Sequence, residues 1–330
     1  MLLQKMAGQP QSPTYIVLPN EVMAPPAIST ERWRLCALFV EIETTEASLQ
    51  WVARRRLIHN EVLCTSCGQP ASLVARADCV DGVQWKCDWC GFTQSVRQGS
   101  FLESSHLPIW KIVVMMYCWC NDMPQQIICR EADVPMGHTV VDWLNFFRDE
   151  AENYIERHSH EIGGMDTNGE PITVEIGRTK FFHRKHHRGQ GKPGHWVFGG
   201  IERGSGKCFM VEVADHTVAN LAGKIRDHIL PGSHIISNSW ASYANIEQIG
   251  GGIYTHEVVL HHFVDPNDET IHTQTVGNLW MRAKQNIRRQ YGISCELFTS
   301  YIHEFVFRNS LRDKDIFAEL TNCIGESYPV

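Results

Sequence analysis

Hydrophobic and polar positions alternate irregularly over the first part of the chain. Prolines recur there, so residues 1–47 are expected to form a flexible tail that runs into the start of a helix. Leu49, Trp51, Val52, Leu57 and Ile58 then recur at helical spacing, in a stretch made basic by Arg54, Arg55 and Arg56. A second helical pattern begins near His106 with Trp110, Val113, Val114 and Tyr117. A short helix is predicted from Pro124 to Ala132, and Val134-Pro135-Met136-Gly137 breaks it. His138 to Ile155 resumes the period with Val141, Leu144, Phe147 and Ala151. Three helices with a turn before the last follow the plan of a helix-turn-helix-like unit over residues 101–160; an ordinary helical linker is the competing reading.

Beyond residue 170 the period shortens. Ile172–Ile176 reads as a strand, and Trp196–Glu202 with Cys208–Val213 reads as a hairpin turning at Gly204-Ser205-Gly206. Val218–Ile229 is helical and stops at Pro231-Gly232. His234–Ser237 is a strand, Trp240–Ile249 a helix, and Tyr254–Val259 a further strand. A helix of about 20 residues starts near Thr273, and Ser294–Leu311 forms the last one. Three early strands followed by strand and helix in alternation predict an α/β fold over residues 170–311: a ribonuclease-H-like mixed sheet with flanking helices. Residues 312–330 are expected to be a C-terminal tail.

Composition places no obstacle in the way of this layout. The 330 residues are 43% hydrophobic and 20% charged, which is ordinary for a globular chain. The most apolar run, Ile109 to Cys120, is interrupted by Lys111 and is too short to cross a bilayer. With no basic-then-apolar leader, the expectation is an intracellular protein without a membrane partner. The net charge of −7 argues against nucleic acid only if charge is averaged. Arg178, Lys180, Arg184, Lys185, Arg188 and Lys192 form an acid-free run with three histidines. Arg282, Lys284, Arg288 and Arg289 form a second acid-free run. Phosphate contacts are local, so these ten residues are candidate DNA contacts.

The twelve cysteines include two Cys-x-x-Cys pairs, Cys64/Cys67 and Cys87/Cys90, separated by 19 residues. Each pair can present two thiolates from one tight knuckle, and four thiolates complete a closed tetrahedral zinc site. Gly68 and Gly91 follow the second cysteine of each pair, where the knuckle turn needs a residue without Cβ. Residues 48–100 are therefore a basic helix and a zinc ribbon whose Zn²⁺ is structural. Cys79 lies between the pairs as a free thiol.

Several motifs in order resemble one family. Trp196-Val197-Phe198-Gly199-Gly200-Ile201-Glu202-Arg203, Leu230-Pro231-Gly232-Ser233, Phe263-Val264-Asp265-Pro266 and His272-Thr273-Gln274-Thr275 look like segments of Merlin-type DDE transposases, of the ISXO-type insertion-sequence superfamily. The sequence of zinc ribbon, helical unit and catalytic-type domain is similar too. The resemblance implies three carboxylates that hold two divalent metal ions for in-line phosphoryl transfer. The matching positions hold Gly177, Asn238 and Gly277 instead. Mg²⁺ requires hard anionic oxygens, so it is not expected to bind there. Glu175 and Asp265 are the candidate replacements, with Asp268 close to the second. His183, His186, His187, His261 and His262 are expected to be solvated loop residues rather than ligands.

The reading that follows is a transposase-derived DNA-binding protein without catalysis. An active transposase with substitute ligands and a protein-interaction remnant are its competitors. DNA is the expected partner, a homodimer or higher oligomer the expected assembly, and the nucleus the location implied by the resemblance.

Overall fold

The computed structural model describes residues 12–158, 161–182, 194–214, 217–239, 243, 245–259, 268–290 and 293–330. The chain divides into two compact units. One runs up to Glu150 and takes in Asp313–Val330; the other is Ala151–Arg312.

The first unit begins with helices α1 (Pro25–Ser29), α2 (Leu35–Ile42) and α3 (Thr45–Arg54). Strands β1 (Ala71–Ala75), β2 (Val83–Cys87) and β3 (Thr93–Ser95) form a three-stranded antiparallel sheet. Helices α4 (Ile109–Cys120), α5 (Gln125–Glu131) and α6 (His138–Arg157) follow. Ten of the twelve residues of α4 are buried, because α2, α3, α5 and the C-terminal helix α10 (Ile316–Ser327) all pack on it. A helix apolar all round belongs at the centre of a bundle.

Two expectations about the termini are overturned here. Residues 12–47 are not a tail: Ile28, Leu38 and Ile42 are buried. Pro25 and Pro26 occupy the first two positions of α1, where a missing N–H costs nothing and the fixed φ favours a helix. Residues 312–330 are not a tail either. Asp315 caps α10 by accepting from the Ala318 amide at 3.0 Å, and Phe317, Leu320, Cys323 and Ile324 are buried. The three helices expected between 101 and 160 are present, but six residues, 132–137, separate α5 from α6.

The second unit is built on a five-stranded sheet. Its strands are β5 (Thr173–Lys180), β6 (Trp196–Glu202), β7 (Cys208–Glu212), β9 (His234–Asn238) and β10 (Thr255–Val259), in the order β10-β9-β5-β6-β7. Strands β5, β6 and β7 form an antiparallel meander, and β9 and β10 add in parallel on the other side of β5. This is the mixed sheet expected. A short parallel pair, β4 (Ile162–Gly163) and β8 (Ile229–Leu230), lies apart from it. One face of the sheet packs on α8 (Gln274–Arg289) and α9 (Phe298–Ser310) through Val197, Ile201, Val276, Trp280 and Phe298. The other packs on α7 (Val218–His228) and on Tyr243 and Tyr254, through Val174, Ile176 and Phe198. Of the helix expected over Trp240–Ile249, residues 240–242 and 244 lie outside the described residues, and Ile246–Gly251 is a short 3-10 helix in which Gly250 and Gly251 take positive φ.

Candidate functional site

Alternation along β5 sends Val174 and Ile176 to the α7 face and Glu175 and Gly177 to the α8 face. The parallel register pairs Glu175 with Ile236, so Gly177 and Asn238, two residues further along each strand, end at the same level of neighbouring strands. Gly277 lies on the first turns of α8, between Val276 and Trp280. A Cβ on Gly177 would meet those two residues, Trp280 Nε1 at 3.3 Å and Val276 at 3.6 Å. The fold therefore brings together the three positions that the resemblance assigns to the acidic ligands. Two of them have no side chain, and exposed Asn238 offers only a neutral amide.

An indole lies over this part of the sheet. Gly177 pairs with Gly199 across β5 and β6, and a Cβ on Gly199 would stand 2.8 Å from Trp280 Cη2. Trp280, 8% exposed, packs across both glycines because neither carries a side chain to hold it off.

Glu175, one candidate replacement, is fully buried and engaged by donors on both oxygens. Oε1 accepts from Arg203 Nε and Thr275 Oγ1, each at 2.7 Å. Oε2 accepts from the amides of Thr275 at 2.8 Å and Val276 at 3.0 Å. Those amides are two of the unpaired donors at the N-terminus of α8, where a carboxylate also complements the helix dipole. His272 Nδ1 lies 3.1 Å from Oε1 without hydrogen-bond geometry. Arg203 reaches on to the carbonyls of Thr270 and His272, locking the approach to α8. Asp268 turns inward on its own loop, accepting from Thr270 N at 2.8 Å; the Thr270 hydroxyl and amide hold its carboxyl below the usual range. Asp265, His261 and His262 lie outside the described residues.

The four knuckle cysteines converge. Their sulfurs all lie within 4.8 Å of one another, with Cys64 to Cys90 at 3.5 Å and Cys67 to Cys87 at 3.4 Å. Four thiolates at 2.3 Å from a tetrahedral ion would be about 3.8 Å apart, so the set fits a metal such as zinc. The two knuckles repeat one pattern. The Gly68 amide donates to Cys64 O and the Cys64 amide to Gln69 O, both at 2.8 Å. The Gly91 amide donates to Cys87 O at 2.9 Å and the Cys87 amide to Phe92 O at 2.8 Å. Gly68 and Gly91 take φ of 74° and 76°. Amide donation from Cys90, then from Trp89, pulls the Cys87 thiol down to about 7, while its hydrogen-bond partner Cys67 is pushed up. Cys79 stays outside the cluster and bonds the carbonyls of Arg76 and Val83.

The candidate DNA contacts are distributed over separate places. Arg178 and Lys180 lie over the Trp196 ring at 4.9 and 5.5 Å. Lys284 reaches Thr179, on the opposite face of β5, and burial followed by Arg288 lowers its proton affinity. Arg288 and Arg289 are exposed at the end of α8. Arg282 lies further back on the same helix, beside Arg312. Arg184, Lys185, Arg188 and Lys192, with His183, His186 and His187, lie outside the described residues. Of the basic triplet near residue 55 only Arg55 is buried, clamped by Glu31 and stacked on Trp51; Arg54 is half-buried and pairs with Glu21, and Arg56 is exposed. Over the first turns of α6 the exposed residues are His138, Thr139, Val141 and Asp142, with no fixed positive charge among them.

Residues 163–310 match the ISXO2-like transposase domain family. The matched segment opens in β4 and closes at the last residue of α9, which is nearly the extent of the second unit. It contains Gly177, Asn238 and Gly277. Male abnormal protein mab-31 of Caenorhabditis elegans is similar over 296 residues at 23% identity, covering 81% of this chain. The chain spans 64% of that relative's length. Among solved structures, the simian T-cell lymphotropic virus intasome in complex with PP2A regulatory subunit B56 gamma is similar at 12% identity. That likeness covers 58% of this chain and 66% of that one, with a TM-score of 0.30.

Sequence reasoning missed three residues of the transposase-type domain that the geometry brings forward. Trp280 was legible as apolar, three residues beyond Gly277 on the Val276-Leu279-Ala283-Ile287 face. The role of Arg203 could not be read locally, since its partners Glu175, Thr270 and His272 lie far along the chain, and Arg312, which bonds Asn309 three residues earlier, stood in the segment expected to be a tail.

Proposed function

We propose that this chain is a DNA-binding protein derived from a DDE transposase and that it does not cut DNA. The observation that carries the reading is the Trp280 indole seated over Gly177 and Gly199. A ring occupies the space into which the first metal-binding carboxylate would project. Glu175 supports the same reading, because a carboxylate that accepts four hydrogen bonds as a helix cap has no lone pair directed at an ion. Two-metal phosphoryl transfer depends on anionic oxygen ligands, which these positions do not supply.

DNA is held through its phosphates by Arg178 and Lys180 beside Trp196, by Lys284, Arg288 and Arg289, and by the basic segment containing Arg184, Lys185, Arg188 and Lys192. The α5–α6 pair is the base-reading element, and a zinc ion held by Cys64, Cys67, Cys87 and Cys90 fixes the ribbon. Assembly as a homodimer and residence in the nucleus belong to the same proposal.

Two measurements on the zinc-loaded full chain test it. Incubation with supercoiled plasmid and Mg²⁺ or Mn²⁺ is expected to leave the plasmid intact; metal-dependent nicking would overturn the non-catalytic part. Selection of genomic fragments at two salt concentrations is expected to enrich discrete sequences whose binding weakens with salt. Exposed apolar residues on the ribbon, Trp89 at 79% and Leu63 at 66%, favour a second reading as a protein-docking remnant. That reading predicts no salt-sensitive enrichment.

A further inference from the structure

Two guanidinium groups share one cleft of the transposase-type domain. The cleft, about 560 Å³, runs between the β6–β7 turn at Gly204 and Gly206 and the α8 residues Asn278 and Arg282, with Arg312 at its end. Arg312 is aimed by its neighbours. Asn309 Oδ1 accepts from Arg312 Nε at 3.0 Å and from Nη2, while Asn309 Nδ2 donates to Gly206 O at 2.9 Å. The turn leaves room for this only because residue 206 is glycine: a Cβ there would collide with Arg312 Nη1. Arg282 makes no hydrogen bond or ion pair among the described residues. Burial, followed by repulsion from Arg312, lowers its proton affinity. Glu202 also lines the cleft, but its carboxylate already accepts from the Gly163 amide at 2.8 Å and the Ser205 hydroxyl at 2.7 Å.

Like charges held side by side in a half-buried cleft repel. An oxyanion placed between them relieves that repulsion, and guanidinium forks match the oxygens of phosphate in particular. We infer that Arg282 and Arg312 form a clasp for one phosphate group, and that its occupant is a phosphodiester of the DNA backbone. The choice of occupant rests on the DNA-binding reading above. Arg289 lies seven residues after Arg282 on α8, about 10 Å along the axis and on the same face. A strand seated in the clasp runs along the helix toward Arg289.

The test uses the full chain. In ¹⁵N spectra, the arginine Nε–H signals of Arg282 and Arg312, assigned from their loss in R282K and R312K, are followed through a titration with inorganic phosphate. Chloride at matched ionic strength is the control. Saturable shifts with phosphate alone are expected, and equal shifts with chloride would overturn the clasp whatever DNA does. In parallel, duplex binding is measured over a salt series. R282Q and R312Q are each expected to reduce the slope of log K against log salt, by no more than the about 0.9 that one phosphate contributes, and R282K to retain it. An unchanged slope in both glutamine variants, with salt-sensitive binding by the parent, removes DNA from the clasp and leaves the DNA-binding reading standing. Phosphate shifts in a parent chain without salt-sensitive DNA binding overturn the DNA occupant together with that reading.

Discussion

The indole of Trp280 and the bare Cα of Gly177 share one space: a Cβ on Gly177 would stand 3.3 Å from Trp280 Nε1, while the far edge of the ring lies over Gly199. A carboxylate at residue 177 therefore competes with the tryptophan. Gly177→Asp is expected to destabilise the fold by about 1–3 kcal/mol through overpacking. Trp280→Ala alone is expected to cost about 3–5 kcal/mol through the cavity it leaves. Combined, the two changes should cost less than their sum, because the aspartate enters space the ring has vacated. Chemical denaturation of the four proteins measures this coupling. Additive costs would mean that the ring does not occupy the position of the missing carboxylate.

Glu175 offers a sharper chemical test. Both of its oxygens face donors: the Arg203 guanidinium and Thr275 hydroxyl on one side, the Thr275 and Val276 amides on the other. In Glu175→Gln, the amide NH₂ must point at donors whichever way it is turned. That isosteric change is therefore expected to be severely destabilising, on the order of the 3–5 kcal/mol lost when a buried ion pair is broken. A residue that served a metal and not the fold would tolerate glutamine. Urea unfolding that matches the parent within about 0.5 kcal/mol would contradict the capping role.

Removing metal should act on the cysteine ribbon. The four sulfurs are within 4.8 Å of one another, a spacing that uncompensated thiolates would not hold. One zinc per chain is expected, and cobalt exchanged into the site should show the absorption of tetrahedral thiolate coordination. Cys67→Ser or Cys90→Ser, at the two exposed ligands, should abolish stoichiometric binding, whereas Cys79→Ser should not. Elemental analysis that finds metal retained in both ligand variants would remove the assignment.

These tests also mark where the sequence was legible. The ribbon could be read because its ligands and turn glycines are local in the chain, Cys64 to Gly68 and Cys87 to Gly91. Strand β6 was bounded correctly at Trp196–Glu202 because a turn at Gly204 and Gly206 punctuates it. The three positions of the acidic ligands could be inspected singly because each lies at a strand end or helix start that the chain's pattern marks. The capping role of Glu175 could not, since the amides and hydroxyl it caps lie 100 and 101 residues away at Thr275 and Val276. The termini were misread for a similar reason. Phe317, Leu320 and Ile324 follow helical spacing, but the rings on which Phe317 packs, Trp51 and Tyr117, lie 266 and 200 positions earlier.

That C-terminal packing leads to a final prediction. Phe317 lies between Trp51 and Tyr117, with ring centroids 5.9 and 5.4 Å away. Asn322 Nδ2 donates to Pro25 O at 3.1 Å and to Ser29 Oγ at 2.9 Å, tying α10 to α1. The Cys323 thiol reaches Glu150 O at 3.1 Å. Helix α10 is thus part of the core of the first unit, and its loss exposes the flank of α4 that it covers. Phe317→Ala is expected to cost about 3–5 kcal/mol, and Asp315→Ala, which removes the cap, about 1 kcal/mol. Deleting Asp313–Val330 should lower the thermal unfolding of the first unit by more than either substitution. Calorimetry distinguishes this from a dispensable tail, for which the truncated chain would unfold at the temperature of the parent.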